Sequence, residues 1–271
     1  MTVYFIGAGP GDPELITVKG KRLIESCNVC LYAGSLVPKA VVACAPSGAH
    51  VADTARMHLE EIVATIAAAH GRGEDIARVH SGDPSIFGAI GEQMRRLDEL
   101  RIPCEIVPGV PAFAAAAAAM GQELTVPEET QTVILTRTSM KSTAMPEHEN
   151  LDSLGATGAL LVIHLSVRNS REIQRRLVPQ YGPDCPTVLA YRIGWPEQAI
   201  IRTVLGRLHD EIRKRKFTRT ALIFVGRSLN RRDFKASALY DPAHPHVLRP
   251  FVGGGKGPIA RPRKSGARKN R

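Results

Sequence analysis

The chain has 271 residues, of which 44% are apolar and 23% are charged. A chain of this length and composition buries a substantial core, which excludes a disordered polymer and favours one large domain or two modest ones. The longest apolar run, 112–120, is mostly alanine and is shorter than the ~18–20 residues that a membrane span requires. Because the N-terminus also shows no secretory signal, we expect a cytoplasmic protein with no membrane partner.

The net charge of +10 is concentrated at one end of the chain. Residues 241–271 contain eight basic residues and one acid, which leaves 28 basic and 25 acidic residues in the first 240. This segment also holds five prolines and five glycines, so we predict a disordered basic tail. An RNA-binding arm is the alternative, but aromatic residues make up only 5% of the chain and leave few rings to stack on bases. We therefore expect no nucleic-acid partner.

Apolar runs and helical patterns alternate over 1–121. This alternation predicts an α/β domain with a parallel sheet covered on both faces. Helical spacing relates Leu59, Ile62 and Ile66. A helix carrying Ala114 to Ala119 has so little side-chain bulk that it permits close approach to a neighbour or ligand. The predicted strands are Val3–Ile6, Val29–Tyr32, His50–Ala52, Ile76–His80 and Cys104–Val107.

The alternation breaks over 122–131, which is polar and contains Pro127, and we predict a linker there. A second α/β domain is predicted over 132–240, with helices near 170–177 and 208–215. Only a loop with Gly194 and Pro196 separates the predicted strands Thr187–Tyr191 and Ile200–Leu205, which favours a hairpin and a mixed sheet. The predicted strands are Thr132–Leu135, Leu160–Leu165, Thr187–Tyr191, Ile200–Leu205 and Ala221–Val225.

Three loops rich in glycine and proline follow predicted strands, at 7–13, 81–88 and 108–112. The first is not a dinucleotide fingerprint, because the third glycine of G-x-G-x-x-G would fall at Asp12. Its prolines lack N–H groups, so it is a poor cradle for an anion and suits an uncharged or cationic ligand better. Since ligands of open α/β sheets collect at the carboxyl ends of strands, we expect the three loops to form one crevice.

The five cysteines offer no strong metal or redox motif. Cys27 and Cys30 form a single C-x-x-C without the second pair that a zinc site needs. A thioredoxin-like redox pair is the alternative, but Cys30 falls inside an apolar run typical of a strand. We expect ordinary buried thiols and no metal.

Five segments together resemble the tetrapyrrole methyltransferases of cobalamin and sirohaem synthesis. The resemblance runs in unbroken order from about residue 2 to 239, and the 32–37 and 191–196 segments are closest to the branch that methylates C11 of precorrin-4. It implies two α/β domains with S-adenosylmethionine in the cleft between them, a tetrapyrrole substrate and a homodimer. The segments are Gly7-Ala-Gly-Pro-Gly-Asp12, Tyr32-Ala-Gly-Ser-Leu-Val37, Ser81-Gly-Asp-Pro-Ser-Ile-Phe-Gly88, Val107-Pro-Gly-Val110 and Tyr191-Arg-Ile-Gly-Trp-Pro196.

The resemblance also implies a set of site residues. The cofactor contacts would be Pro10, Gly82, Asp83, Ile86, Pro111, Ala112, Leu165, Ile193 and Ala221. Arginine binds carboxylates bidentately, so Arg137 and Arg192 are candidates for the carboxylates of the substrate, with Tyr191 and Trp195 packing against the macrocycle. Trp195 is alternatively a domain-packing residue. We assign no catalytic base, although Asp83 on a cofactor loop and Asp53 just before a predicted helix are candidate proton acceptors.

Other acceptors on the same fold remain open. They are cobalt-precorrin-4, another precorrin position, uroporphyrinogen III and ribosomal RNA. Two alternative functions that involve no catalysis are an RNA-binding protein and a nucleotide-sensing module.

Overall fold

The computed structural model describes residues 1–139, 144–229 and 237. The chain forms two five-stranded sheets with helices packed against them. The predicted tail over 241–271 lies outside the described residues. Within the described ranges, no helix combines the length and the apolar character needed to cross a bilayer.

The first sheet is entirely parallel, as the alternation predicts. Its strand order is β3-β2-β4-β1-β5, so the ends of β4, β1 and β5 are neighbours. The strands are β1 (Val3–Gly7), β2 (Val29–Tyr32), β3 (His50–Asp53), β4 (Ile76–His80) and β5 (Cys104–Val107). The five strand predictions for this half are confirmed to within one residue at each end.

Helices cover both faces of this sheet. Apolar side chains of the third and fourth helices pack on one face, and those of the first and second pack on the other. The first helix begins where the Thr17 hydroxyl accepts a hydrogen bond from the Gly20 N–H, an N-cap that satisfies one of the free donors at a helix start. The helices are α1 (Val18–Ser26), α2 (Lys39–Val42), α3 (Leu59–Gly71), α4 (Ile90–Glu99) and α5 (Ala112–Met120).

The second sheet is mixed, and the predicted hairpin is confirmed. The order is β6-β7-β10-β8-β9, with β6 and β7 parallel and the other pairs antiparallel. The strands are β6 (Val133–Arg137), β7 (Leu160–His164), β8 (Pro186–Tyr191), β9 (Ala199–Val204) and β10 (Ala221–Val225). The remaining helices are α6 (Leu151–Gly155), α7 (Ser170–Tyr181) and α8 (Leu208–Arg215).

The alanine-rich helix α5 joins the two halves of the molecule. Helices α6, α7 and α8 cover one face of the second sheet, whereas α5 packs on the other face. Ala115 and Ala116 are buried there beside Val162 and Phe224. Because no helix or strand is described between α5 and β6, we keep 122–131 as the proposed linker.

The cysteines are free thiols. Cys27 and Cys30 lie in the apolar core between the first sheet and its α1/α2 layer. Burial raises the pKa of Cys30 to about 12, which keeps the thiol protonated and unreactive near neutral pH. The C-x-x-C is therefore part of the packing.

Replacing Ala116 by Leu should destabilise the protein by about 1–3 kcal/mol, because Ala116 is fully buried between α5 and the second sheet. The free energy of unfolding, measured by urea denaturation, checks this. Ala118→Leu is the matched control, since Ala118 is exposed on the same helix. Equal stabilities of the two variants would contradict the close packing of α5.

Candidate cofactor site

Three strand ends of the first sheet meet backbone against backbone. A Cβ atom added to Gly7, at the end of β1, would lie 2.5 Å from the Gly109 backbone and 2.7 Å from the Gly82 carbonyl oxygen. A Cβ atom on Gly109 would lie 2.2 Å from that same oxygen. No side chain fits at either position, so the loops after β1, β4 and β5 form one continuous surface, as expected.

Three glycine N–H groups of these loops form hydrogen bonds from one loop to another. Gly9 donates to the Gly82 carbonyl at 3.2 Å, and Gly82 donates to the Gly9 carbonyl at 2.7 Å. Gly109 donates to Oδ2 of Asp83 at 3.0 Å. A phosphate at a helix or loop terminus needs free backbone donors. These loops therefore suit a ligand that does not need free backbone donors.

Asp83 ties two of the loops together. Its Oδ1 accepts hydrogen bonds from the N–H and the hydroxyl of Ser85, while its Oδ2 holds Gly109. Burial raises the pKa of Asp83, but the hydrogen bonds from Ser85 and Gly109 outweigh burial and leave the pKa below its ordinary value. A carboxylate with a low pKa is a weak base, so the position of Asp83 favours a structural role over proton transfer.

Asp53 is held in a similar way on β3, which pairs with β2. At the end of β3, its Oδ1 accepts from the N–H groups of Gly34 and Ala55 at 2.9 and 2.8 Å. The carboxylate thereby fixes the Gly34 loop after β2.

Several of the predicted residues lie at one end of the second sheet, where its strands begin or end. Arg137 ends β6 and pairs in register with His164, which ends β7. Tyr191, at the end of β8, lies opposite Ala221, at the start of β10. Because Ile163 lies opposite Ile223 in antiparallel pairing, the register sets Leu165 beside Ala221. The antiparallel strands thus bring residues distant in sequence to this end of the sheet.

Three contacts link this end of the second sheet to the loops of the first sheet. A Cβ atom on Gly11 would lie 2.5 Å from Cδ1 of Trp195, and one on Gly194 would lie 2.7 Å from the Asp12 nitrogen. The Phe87 ring packs on the His164 ring with centroids 5.0 Å apart. The cleft therefore lies between the loops of the first sheet and one end of the second sheet. That end carries Arg137, His164, Tyr191 and Ala221.

Exposed apolar side chains in strained backbone lie at this cleft. Phe87 and Leu165 both have a φ of +55°, which costs a bulky residue about 1–3 kcal/mol. Their side chains are nevertheless 42% and 54% exposed. Strain without burial is typical of residues that present a surface to a ligand.

The proposed cofactor-binding residues fall on the two sides of this cleft. The Pro111 Cα and the Ala112 nitrogen lie 3.7 Å from the position of a Cβ on Gly82. Pro10 lies beside Gly194. Asp83, Ile86, Leu165, Ile193 and Ala221 complete the set on the loop after β4 and on this end of the second sheet. The contacts join Gly82 to Pro111 and Ala112, and Pro10 to Gly194. The binding roles of the nine residues are a proposal.

The proposed substrate-binding residues are more dispersed. Tyr191 stacks on Phe217 at 4.0 Å and packs with the core under α6, α7 and α8. Arg137 donates to the carbonyls of Thr138 and Ala144, each at 3.2 Å, and so holds its own loop.

Arg192 and Trp195 are neighbours in the loop after β8. The Arg192 guanidinium lies 4.5 Å from the centre of the Trp195 ring and 3.6 Å from the Glu197 carboxylate. Trp195 also packs on Gly11, which is the domain-packing role that its place in a loop left open. Of the four proposed substrate-binding residues, Arg192 and Trp195 lie nearest to the contact between the two sheets.

Comparison with known proteins gives the family. The model of the Tetrapyrrole (Corrin/Porphyrin) Methylases matches residues 2–209. The chain belongs to this family. Like its other members, it is a methyltransferase, and the resemblance found in the sequence is confirmed.

The chain is similar to several members over nearly its whole length. It is 55% identical to the precorrin-4 C(11)-methyltransferase of Pseudomonas aeruginosa over 92% of this chain and 99% of that protein. The structure of a cobalt precorrin-4 methyltransferase matches with a TM-score of 0.82 and 42% identity, over 85% of this chain and 96% of that one. A uroporphyrin-III C-methyltransferase from Thermus thermophilus, solved with S-adenosylhomocysteine, matches with a TM-score of 0.70 and 28% identity, over 84% and 99% of the chains.

Two residues at the cleft of this methyltransferase were not singled out from the sequence. Phe87 lies in the 81–88 loop, but its left-handed backbone leaves no sequence signal because such a conformation favours glycine. His164 has no partner residue at a fixed spacing in the sequence that would mark it as functional. Its place directly before Leu165 was the one available signal.

Stability should fall between pH 7 and pH 5 because two buried histidines stay neutral in the folded protein. Burial lowers the pKa of His80 to about 3 and that of His164 to about 4. Below pH 6.5 the unfolded state binds protons that the folded state does not, so each histidine removes about 2 kcal/mol by pH 5. Urea denaturation at the two pH values measures this loss.

The variant His164→Phe isolates one of the two contributions. Its loss of stability between pH 7 and pH 5 should be smaller than that of the wild type by about 2 kcal/mol. An identical loss in both proteins would show that His164 does not titrate as its burial requires.

Proposed function

We propose that this protein transfers a methyl group from S-adenosylmethionine to C11 of precorrin-4, giving precorrin-5 and S-adenosylhomocysteine. The observation that carries the proposal is the 55% identity to a precorrin-4 C(11)-methyltransferase over 99% of that protein's length. The cleft described above supports it, because its chemistry suits such a donor.

S-adenosylmethionine fits the residues at the cleft. The donor supplies a methyl group on a positively charged sulfur. In the loops of the first sheet, the N–H groups of Gly9, Gly82 and Gly109 are used within the loops and are not free for an anion. Phe87 and Leu165 add apolar surface between the sheets. A cationic ligand with apolar parts is favoured over a polyphosphate in such surroundings.

The role of the chain in the reaction is positioning. Methyl transfer disperses the positive charge of the sulfonium, so alignment and exclusion of water supply much of the acceleration, up to ~7–11 kcal/mol from positioning alone. The interlocked glycine loops and the Asp83 hydrogen bonds fix the donor side of the cleft. We assign no residue as a base.

Arg192 is the residue that we propose for the carboxylates of the tetrapyrrole. Its side chain is 29% exposed, and its partner Glu197 is 59% exposed, so a substrate carboxylate can replace this ion pair at little cost. A guanidinium also binds a carboxylate through two parallel hydrogen bonds. The Trp195 ring beneath Arg192 keeps the guanidinium oriented.

Cobalt-precorrin-4 is the second candidate acceptor. The observation that favours it is the TM-score of 0.82 to a cobalt precorrin-4 methyltransferase. Both acceptors would be methylated at the same ring carbon, so the two proposals differ only in the metal content of the substrate.

We also propose a homodimer that works in the cytoplasm. The family resemblance supports the dimer, and free thiols at all five cysteines fit a reducing compartment. Size-exclusion chromatography with light scattering measures the oligomeric state.

Incubation with methyl-labelled S-adenosylmethionine tests the reaction. The panel of acceptors consists of precorrin-4, cobalt-precorrin-4 and uroporphyrinogen III, and NMR locates the label. We expect label at C11 of precorrin-4. Label at another ring carbon, or on uroporphyrinogen III alone, would refute the assignment.

Replacing Arg192 by Ala should raise the KM for the tetrapyrrole about 10-fold, because a charge-assisted hydrogen bond to substrate is lost. The affinity for S-adenosylhomocysteine should stay unchanged, since Arg192 is proposed for the acceptor side. Steady-state kinetics and calorimetry measure the two quantities. Arg192→Lys is the control and should lie between Ala and the wild type. Weakened cofactor binding with a normal KM would move Arg192 out of the acceptor site.

A further inference from the structure

His164 is a buried histidine that lacks a hydrogen-bond partner at one ring nitrogen. It ends β7, and only 8% of its surface is exposed. Within the described part of the chain, its Nε2 has no hydrogen-bond partner. Buried polar atoms in native proteins are nearly always paired, so this nitrogen requires an explanation.

Packing alone does not explain a histidine at this position. The ring contacts Phe87 in a tilted arrangement, and a phenylalanine ring would make the same apolar contact without an unpaired nitrogen. An unsatisfied buried polar group costs about 1–3 kcal/mol. A histidine that carries this cost indicates that the nitrogen finds a partner in another state of the protein.

The surroundings of His164 indicate what that partner is. The side chain of the next residue, Leu165, is 54% exposed in left-handed backbone. Phe87, which packs on the imidazole from the opposite sheet, is 42% exposed, so its ring has room to turn away. His164 therefore lies directly beneath the cleft that separates the two sheets.

We propose that Nε2 of His164 hydrogen-bonds to the bound S-adenosyl ligand and that His164 is a further cofactor-binding residue. The inference rests on the proposed function, because the ligand is the methyl donor. The unpaired nitrogen, the ring contact with Phe87 and the exposed Leu165 are three separate observations at one place.

The charge of the ring agrees with this role. Burial lowers the pKa of His164 to about 4, so the imidazole is neutral at pH 7. A neutral ring forms a hydrogen bond without repelling the positive charge of a sulfonium, whereas a protonated ring at the same place would oppose binding.

The variant His164→Phe separates this role from a structural one. It keeps the ring and removes the nitrogen. Calorimetry with S-adenosylhomocysteine should show a Kd about 3- to 10-fold weaker than that of the wild type, the loss of one hydrogen bond. The Tm of the ligand-free protein should be equal or higher at pH 7, because an unsatisfied nitrogen has been removed. A structural histidine would lose stability instead.

His209→Phe is the matched control. His209 lies on α8, and its Nδ1 bonds to the Ser170 hydroxyl at 2.9 Å. Its replacement should lower the Tm and leave the affinity for S-adenosylhomocysteine unchanged, which is the opposite pattern.

His164→Gln and His164→Leu provide a second comparison if His164→Phe does not fold. Gln carries a side-chain N–H at a similar reach and should keep more of the affinity than Leu, which has no polar atom.

The outcomes distinguish the inference from the proposed function. Equal affinity in the wild type and His164→Phe, or in the Gln and Leu variants, overturns the inference alone. A raised KM for the tetrapyrrole with unchanged binding of S-adenosylhomocysteine also overturns it. A wild-type protein that does not bind S-adenosylhomocysteine overturns the proposed function together with the inference.

Discussion

The close backbone approach at Gly7, Gly82 and Gly109 is the constraint on which the site depends. Added Cβ atoms at Gly7 and Gly109 would lie 2.5 and 2.2 Å from backbone atoms of the facing loops. Backbone cannot move aside as a flexible side chain can, so these positions tolerate only glycine. This close approach lets the loops at neighbouring strand ends form backbone hydrogen bonds with each other.

This constraint explains the preference of the site for its ligand. A glycine-rich loop at a strand end commonly offers free N–H groups to a phosphate. Here the N–H groups of Gly9, Gly82 and Gly109 are already used, and prolines at 10, 13, 84, 108 and 111 contribute none. A loop of the same composition therefore serves a different ligand class, because the pattern of hydrogen bonds and not the glycine content decides what it binds.

Much of the fold follows from the sequence, whereas the details of the site follow only in part. Apolar runs predicted the strands of both sheets, because strands buried by helices on both faces read as continuous apolar segments. The convergence of the three loops also followed, since the ends of adjacent parallel strands must lie together. The direction of Tyr191 did not follow, because packing against Phe217 is decided by the register of β8 and β10 and by the chain after α8. The hydrogen bonds of Asp83 did not follow either, since they depend on Gly109, 26 residues away in sequence.

Three residues at the cleft share a physical property: each breaks a local rule. Phe87 and Leu165 adopt left-handed backbone despite bulky side chains, and His164 leaves a buried nitrogen unpaired. Three more buried nitrogens in the described chain lack a hydrogen-bond partner. They belong to His80 at the end of β4, Arg96 on α4 and Trp195 in the loop that packs on Gly11. Local rules predict the structure where stability alone selects the residue, and they fail where a ligand completes the contacts. Phe87, His164 and Leu165 place three such exceptions around one ring contact between the two sheets, which supports, independently of any relative, this cleft as the place where the protein meets its ligands.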